Sequence, residues 1–136
     1  MIFCKNNLDG RAISNLVRGL EHNSTLISFD LSYNRIKTAG TRDIASALKH
    51  NQTLETLNLS QNKIGIAGAI SLAIVLKHNT TLTKLDIKSN SCGDEGEQLV
   101  TDALQRTTTL TALSIEQSYI NDDQMNHLAN ALMLNK

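Results

Sequence analysis

Three histidines recur at one spacing and are the first candidates for chemistry in this chain. His22, His50 and His78 are separated by 28 residues each. A zinc site would need their ligand nitrogens about 2.0–2.1 Å from one ion. The spacing instead places each histidine at the end of a different predicted helix, and packed helices lie about 8–10 Å apart. The histidines therefore predict no metal site.

Acidic pairs are the candidates for acid–base chemistry. Asp94-Glu95 and Asp122-Asp123 both fall where a predicted helix begins, and the helix dipole stabilises carboxylates there. The sequence shows no glycine-rich phosphate loop, no CxxC pair and no nucleophile elbow. We predict no catalytic residue and no cofactor, and we do not expect an enzyme.

The two cysteines indicate the compartment. The repeat described below places Cys4 at a solvent-facing strand position and Cys92 in the core, three strands or about 14 Å apart at ~4.8 Å per strand. A disulfide needs Cα atoms within about 7 Å, so we predict two free thiols, Cys4 reactive and Cys92 inert. Free thiols and the absence of an apolar signal segment at residues 1–10 predict a cytoplasmic protein, with export as an effector as the alternative.

The whole chain is one segment repeated. Residues 53–80 read TLETLNLSQNKIGIAGAISLAIVLKHNT, and residues 25–52, 81–108 and 109–136 are the same pattern with substitutions. Residues 1–24 are most of a further copy. A single repeat cannot bury its apolar face, so copies must stack. We predict one domain over residues 1–136.

Each copy changes its hydrophobic period once. Leu57 and Leu59 alternate as in a half-buried strand, and Asn62 marks a turn. A helical period follows, with apolar residues at Ala69, Leu72, Ala73 and Leu76. Three further positions recur in the copies. The turn asparagine is predicted to form a ladder, with the members Asn34, Asn62 and Asn90, and Ser118 in the last copy. A glycine is predicted to let neighbouring helices approach, at Gly40, Gly68 and Gly96, and an asparagine after the helix is predicted to adopt the left-handed conformation, at Asn23, Asn51 and Asn79.

This order of strand, asparagine turn and helix in 28 residues resembles a leucine-rich repeat (LRR) of the ribonuclease-inhibitor type. Similar repeats occur in NOD-like receptors, Ran GTPase-activating proteins and bacterial LRR effectors. The resemblance implies an α/β fold, a right-handed LRR solenoid or horseshoe fragment. Parallel strands would line its concave side and α-helices its convex side. Phe29 at a leucine site, Cys92 at an isoleucine site, and Ser118 and Gln124 in the last copy depart from the pattern.

Charge and hydropathy exclude several partner classes. Lys+Arg and Asp+Glu both number 13, so the formal net charge is zero. A nucleic-acid-binding surface needs a basic stripe, and we predict no nucleic-acid partner. No apolar run approaches the length of a bilayer span, and we predict no membrane partner. A protein partner is the expectation that remains.

The concave face is the first candidate surface for that partner. The repeat register gives three rows of outward side chains, which are polar, small and mixed in charge. The most distinctive candidates on them are Asp30, Asn58, Lys84, Asp86, Lys88 and Glu116. The alternative is a solvated sheet face on which opposite charges pair across strands.

The convex face offers a second candidate. Ile66, Ile70 and Ile74 share one face of the central helix, at positions that are polar in copies 25–52, 81–108 and 109–136. The hypothesis is that this stripe docks a partner, a second copy of the chain or a flanking domain. The alternative is that repeats tolerate odd surface residues, or that some of the isoleucines pack against neighbouring helices.

The sequence therefore predicts a non-catalytic protein–protein interaction module. One alternative is an enzyme regulator of the GTPase-activating or inhibitor type. Another is the recognition part of a larger enzyme or effector. The N-x-[ST] sequons at Asn23, Asn51 and Asn79 are explained by the repeat without glycosylation.

Overall fold

A computed structural model describes residues 1–115 of the chain. Helices and strands alternate along this part, as the change of hydrophobic period predicts. The elements are α1 (Gly10–His22), β1 (Ser28–Asp30), α2 (Lys37–His50), β2 (Thr56–Asn58), α3 (Gly65–Leu76), β3 (Lys84–Asp86), α4 (Gly93–Leu104) and β4 (Ala112–Ser114).

The four strands form one parallel sheet in the order β1-β2-β3-β4. Its register is the repeat itself, because Thr56 pairs with Ser28 on one side and with Lys84 on the other. Lys84 in turn pairs with Ala112. The predicted α/β solenoid and its strand rows are confirmed for the described residues.

Apolar side chains from both layers form one continuous core. Leu57 and Leu59 of the sheet side and Leu72 and Leu76 of α3 are almost completely buried. The strands are nevertheless only three residues long, and Leu59 lies beyond the end of β2. The Asn58 side chain accepts a hydrogen bond from the backbone N–H of Ser60, so this N–H does not bond the neighbouring strand.

The predicted ladder of turn asparagines is present in the described copies. Asn62 is completely buried, and its Nδ2 donates to the backbone carbonyls of Leu31, Leu59 and Ser60 at 2.9–3.1 Å. The Oδ1 of Asn90 accepts the backbone N–H of Asn62 at 2.8 Å. Each asparagine thus satisfies backbone groups of two neighbouring repeats. Ser118 lies outside the described residues.

The asparagines after the helices form a second ladder, and their predicted left-handed conformation is wrong. Asn51 has φ −72° and ψ 128°, which is extended backbone. Its side chain does the capping instead: Oδ1 accepts the N–H groups of Thr53 and Leu54, and Nδ2 donates to Leu20 of the preceding helix at 2.8 Å. Asn79 makes the equivalent bonds one repeat later. Because the side chain bridges two repeats, the backbone needs no left-handed turn there.

The glycine near the start of α2, α3 and α4 allows close packing, as predicted. A Cβ atom on Gly68 would lie 2.4 Å from Cγ2 of Ile64 and 3.3 Å from Cβ of Thr41 on α2. On Gly96 it would lie 3.1 Å from Cβ of Ala69 on α3. A methyl group at either position would contact the neighbouring helix more tightly than side chains ordinarily pack.

Candidate protein-interaction surfaces

Three candidate residues of the concave face have a structural role at the strand ends. The Oδ1 atoms of Asp30, Asn58 and Asp86 accept the backbone N–H two residues further on, at 2.9–3.0 Å. All three side chains are half-buried. This local turn explains why the row contains only Asp and Asn from β1 to β3, whether or not a partner touches it.

Among the described residues of the three concave rows, Lys84 and Lys88 are the exposed charges. Strand register places Lys84 between Thr56 and Ala112, neither of which carries a charge. Within residues 1–115, neither lysine forms an ion pair, so the cross-strand pairing considered as an alternative does not occupy them there. The sixth concave candidate, Glu116, lies outside the described residues.

The convex isoleucines do not form one flat patch. Ile66 is 43% exposed and Ile74 58% exposed, whereas Ile70 between them is half-buried. Ile66 leans towards α4, because a Cβ atom on Gly93 would lie 3.3 Å from its Cδ1. Ile74 faces the other way and lines a groove against α2. Packing on both sides therefore divides the predicted stripe.

The groove between α2 and α3 is the feature that sequence reasoning missed. It has a volume of about 590 Å³ and is lined by Arg42, Ala45, Ser46, Lys49, Ser71, Ile74, Val75 and His78. Spacing within one helix could not reveal it, because its two walls come from different repeats. The sequence signal for the groove would have been the combination of two cations, at positions 42 and 49, with an isoleucine at position 74 of the next copy.

The cysteines differ in environment. Cys92 is 2% exposed, and burial raises the pKa of its thiol to about 11, with a smaller contribution from the nearby Glu97. Its predicted core position is confirmed. Cys4 is half-buried, which is less exposed than its predicted solvent-facing position implies. At the equivalent position of the next copies, Ser32 is buried, Ser60 is half-buried and Lys88 is exposed, so the exposure of this row differs from copy to copy. Both thiols are free.

The histidines occupy the positions that the repeat gives them. His22 and His50 end α1 and α2, and His78 lies just after α3. Among residues 1–115, no group of three or more His, Cys, Asp or Glu side chains is placed to hold a metal ion. Nor does that part of the chain contain a helix long and apolar enough to span a bilayer.

A family model described as Leucine Rich repeat matches residues 22–45, 50–73 and 78–96. The chain contains leucine-rich repeats. The three matched spans of these leucine-rich repeats begin at His22, His50 and His78, in the 28-residue register of the sequence. Each matched span begins at the end of one helix and continues through the next strand into the following helix. The third span stops within the first turn of that helix.

Two solved structures are similar to this leucine-rich repeat chain. One is a chain named Leiomodin-1 Actin-Binding Site 2, with a TM-score of 0.89 and 25% identity over 99% of this chain and 79% of that one. The other is the tropomodulin C-terminal domain of Caenorhabditis elegans, with a TM-score of 0.56 and 13% identity over 90% and 92%. The second likeness is one of fold alone. No curated protein sequence matches the chain.

Proposed function

We propose that the chain is a non-catalytic protein-interaction module built on leucine-rich repeats of the ribonuclease-inhibitor type. The observation that carries the proposal is the likeness to an actin-binding LRR structure over almost the entire chain, at a TM-score of 0.89. Helices of 12 to 14 residues in the described 28-residue repeats support the ribonuclease-inhibitor type. An extended, polar strand face supports a binding role.

Actin is the first partner to test. The name of the similar structure states that it binds actin, and the likeness covers 99% of this chain at 25% identity. On that face, Lys84 and Lys88 are the cations available to an acidic partner surface. Asp30, Asn58 and Asp86 lie beside them in register, with one side-chain oxygen each engaged in a turn. These five residues and Glu116 form our proposed concave site.

We further propose that the module works in the reducing cytoplasm. Two free thiols, one of them deeply buried, support this compartment. The sequon asparagines Asn51 and Asn79 are buried, and their amides hold adjacent repeats together. A glycan on either nitrogen would break the second asparagine ladder, so a glycosylating compartment is a poor environment for this fold.

Co-sedimentation with filamentous actin and gel filtration with monomeric actin test the proposal. We expect the purified chain to be retained with actin. The variant Lys84→Glu/Lys88→Glu should weaken retention by about tenfold or more if the concave face binds, since it reverses two exposed charges. The variant Ile66→Asp/Ile70→Gln copies Asp94 and Gln98 of the next repeat and tests the convex face.

The two variants make the outcomes distinct. Loss in the lysine variant alone assigns the concave face, and loss in the isoleucine variant alone assigns the convex face. Wild-type chain that stays in the supernatant at all actin concentrations would remove actin as the partner. Equal retention of the wild type and both variants would contradict both proposed surfaces.

A further inference from the structure

We propose that the groove between α2 and α3 binds an acidic, apolar-faced helix of a partner protein. This inference rests on the proposed interaction function and names the chemistry of its partner. It differs from the concave site, because the groove lies between the helices of two adjacent repeats.

The groove combines an apolar wall with cations. Ile74 is the most exposed large apolar side chain of the described helices, and beside it lie the buried side chains of Val75 and Ala45. Arg42 and Lys49 line the α2 side, and His78 lies at the end of α3. No acidic residue lines the groove.

The equivalent groove one repeat earlier shows that this composition is not required by the fold. The groove between α1 and α2 has a volume of about 320 Å³, and its lining is the same set of positions shifted by 28 residues, except that the equivalent of His78 is missing from it. Its residues are Ser14, Val17, Arg18, Glu21, Asp43, Ser46 and Ala47. There the Ser14 hydroxyl donates to the Asp43 carboxylate across the groove. That groove is smaller, mixed in charge and bridged by this hydrogen bond, whereas the groove between α2 and α3 is larger and basic.

Charge complementarity identifies the occupant. The guanidinium of Arg42 and the ammonium of Lys49 form no ion pair or side-chain hydrogen bond with any residue in the described range 1–115. Asp43, the acid next to Arg42 in sequence, faces the other groove. Two unpaired cations beside an exposed isoleucine therefore favour a partner with carboxylates beside apolar side chains.

The spacing of the cations favours a helical partner. Arg42 and Lys49 are seven residues apart on α2, which is about 10.5 Å at ~1.5 Å per residue. A helix lying along the groove presents carboxylates with the same separation when they are two turns apart. Leucines on the intervening turn would then meet Ile74, as in other helix-in-groove interactions.

A transplant of the neighbouring groove is the decisive variant. Arg42→Ser, Lys49→Glu and Ile74→Ser together introduce the residues found at Ser14, Glu21 and Ser46, which this fold already accepts at the equivalent positions. The matched control is Arg11→Ser/Lys63→Glu, which makes the same change in net charge at exposed residues outside the groove. Circular dichroism melts verify that both variants are folded.

The probe is a synthetic helical peptide with two glutamates two turns apart and leucines between them. A second peptide replaces the glutamates with lysines, and a third replaces the leucines with serines. Fluorescence anisotropy measures binding to the full chain. We expect the first peptide alone to bind, with affinity that falls as salt rises. The transplant should weaken it by about tenfold or more, while the control binds like the wild type.

Any of these peptide results would overturn the inference: no binding of the first peptide, equal binding of the lysine or the serine peptide, or equal binding by the transplant and the wild type. A wild type that dimerises through the groove, with dimerisation lost in the transplant, would also overturn it by assigning the groove to a second copy. Actin retention that survives in the transplant would leave the proposed function intact while the groove inference fails, so the two failures are distinguishable.

Discussion

Asn62 is the residue on which most backbone bonds of the central turn depend. Its amide contacts three carbonyls, and its Oδ1 accepts the N–H of Ile36 at 3.4 Å. Asn62→Ala leaves these buried groups without their partner, so we expect a loss of about 1–3 kcal/mol in unfolding free energy. Urea denaturation measures it. The control Asn58→Ala removes a half-buried turn residue and should cost less; equal losses would contradict the role of the ladder.

Cys92 and Cys4 should differ in reactivity towards alkylating reagents. The thiolate is the reactive form, and a pKa of about 11 leaves Cys92 protonated at neutral pH. Its side chain is also inaccessible. We expect mass spectrometry of the native protein at pH 7 to show one modified residue, Cys4, and a second only after denaturation. Modification of Cys92 at a comparable rate would show that the repeat is out of register there.

The same thiol predicts a loss of stability at alkaline pH. The pKa of Cys92 is raised in the folded state from 9.0 to about 11. The protonated thiol therefore contributes fully to the stability of the folded state below pH 9, and this contribution is lost as the pH rises to 11. Cys92→Val removes the titrating group while keeping an apolar side chain, as at Ile64 and Ile36 of the neighbouring copies. We expect the melting temperature of the wild type to fall more steeply than that of the variant between pH 9 and 11. Parallel curves would contradict this.

At the scale of elements, the start of α3 has no room for a side chain at Gly68. Gly68→Ala places a Cβ atom 2.4 Å from the completely buried Ile64 side chain, which has little room to move. Overpacking of this kind typically costs about 1–3 kcal/mol. The matched control is Gly19→Ala, where nothing lies within 4 Å and a helical alanine should stabilise by about 0.5–1 kcal/mol. Thermal melts should therefore shift in opposite directions, and shifts of the same sign would contradict the packing argument.

Elements contact only their neighbours in the stack. Among the described residues, each helix packs on the next helix and each strand pairs with the next strand. Coupling between successive repeats therefore depends on contacts between neighbours, and the two asparagine ladders provide part of them. Each ladder asparagine bonds a backbone group of the adjacent repeat, so hydrogen bonds as well as apolar contacts couple successive copies. A change in one repeat is therefore felt first by the repeats beside it.

At the scale of the molecule, we expect a central cavity to weaken both neighbouring copies. Leu57→Ala removes a side chain that is almost completely buried between β1, β3 and the helices, at a cost of about 2–5 kcal/mol. Hydrogen exchange should quicken most in residues 53–80, then in 25–52 and 81–108, and least in α1. The control Arg11→Ala, on the exposed surface of α1, should leave the pattern unchanged. Uniform acceleration along the chain would show global rather than neighbour-by-neighbour coupling.

The sequence by itself determined the repeat length, the order of elements, the strand register and most of the core. This was possible because every copy faces the same packing problem, so the same residue type recurs wherever the backbone or core requires it. Asn62 and Asn90 at the turn and Gly68 and Gly96 at the helix start are examples. The rows of the concave face follow from the same register.

Only the tertiary structure decided how side chains of different repeats meet. It moved Ile66 towards α4 and Ile74 towards α2, although the two share one helix face in sequence. It assigned Asn51 to an inter-repeat bond, where spacing suggested a left-handed cap. It also joined Arg42 and Lys49 with Ile74 in one groove. Periodicity reports which face of its own helix a residue occupies, whereas a groove depends on the distance and tilt between two helices, which local sequence does not encode.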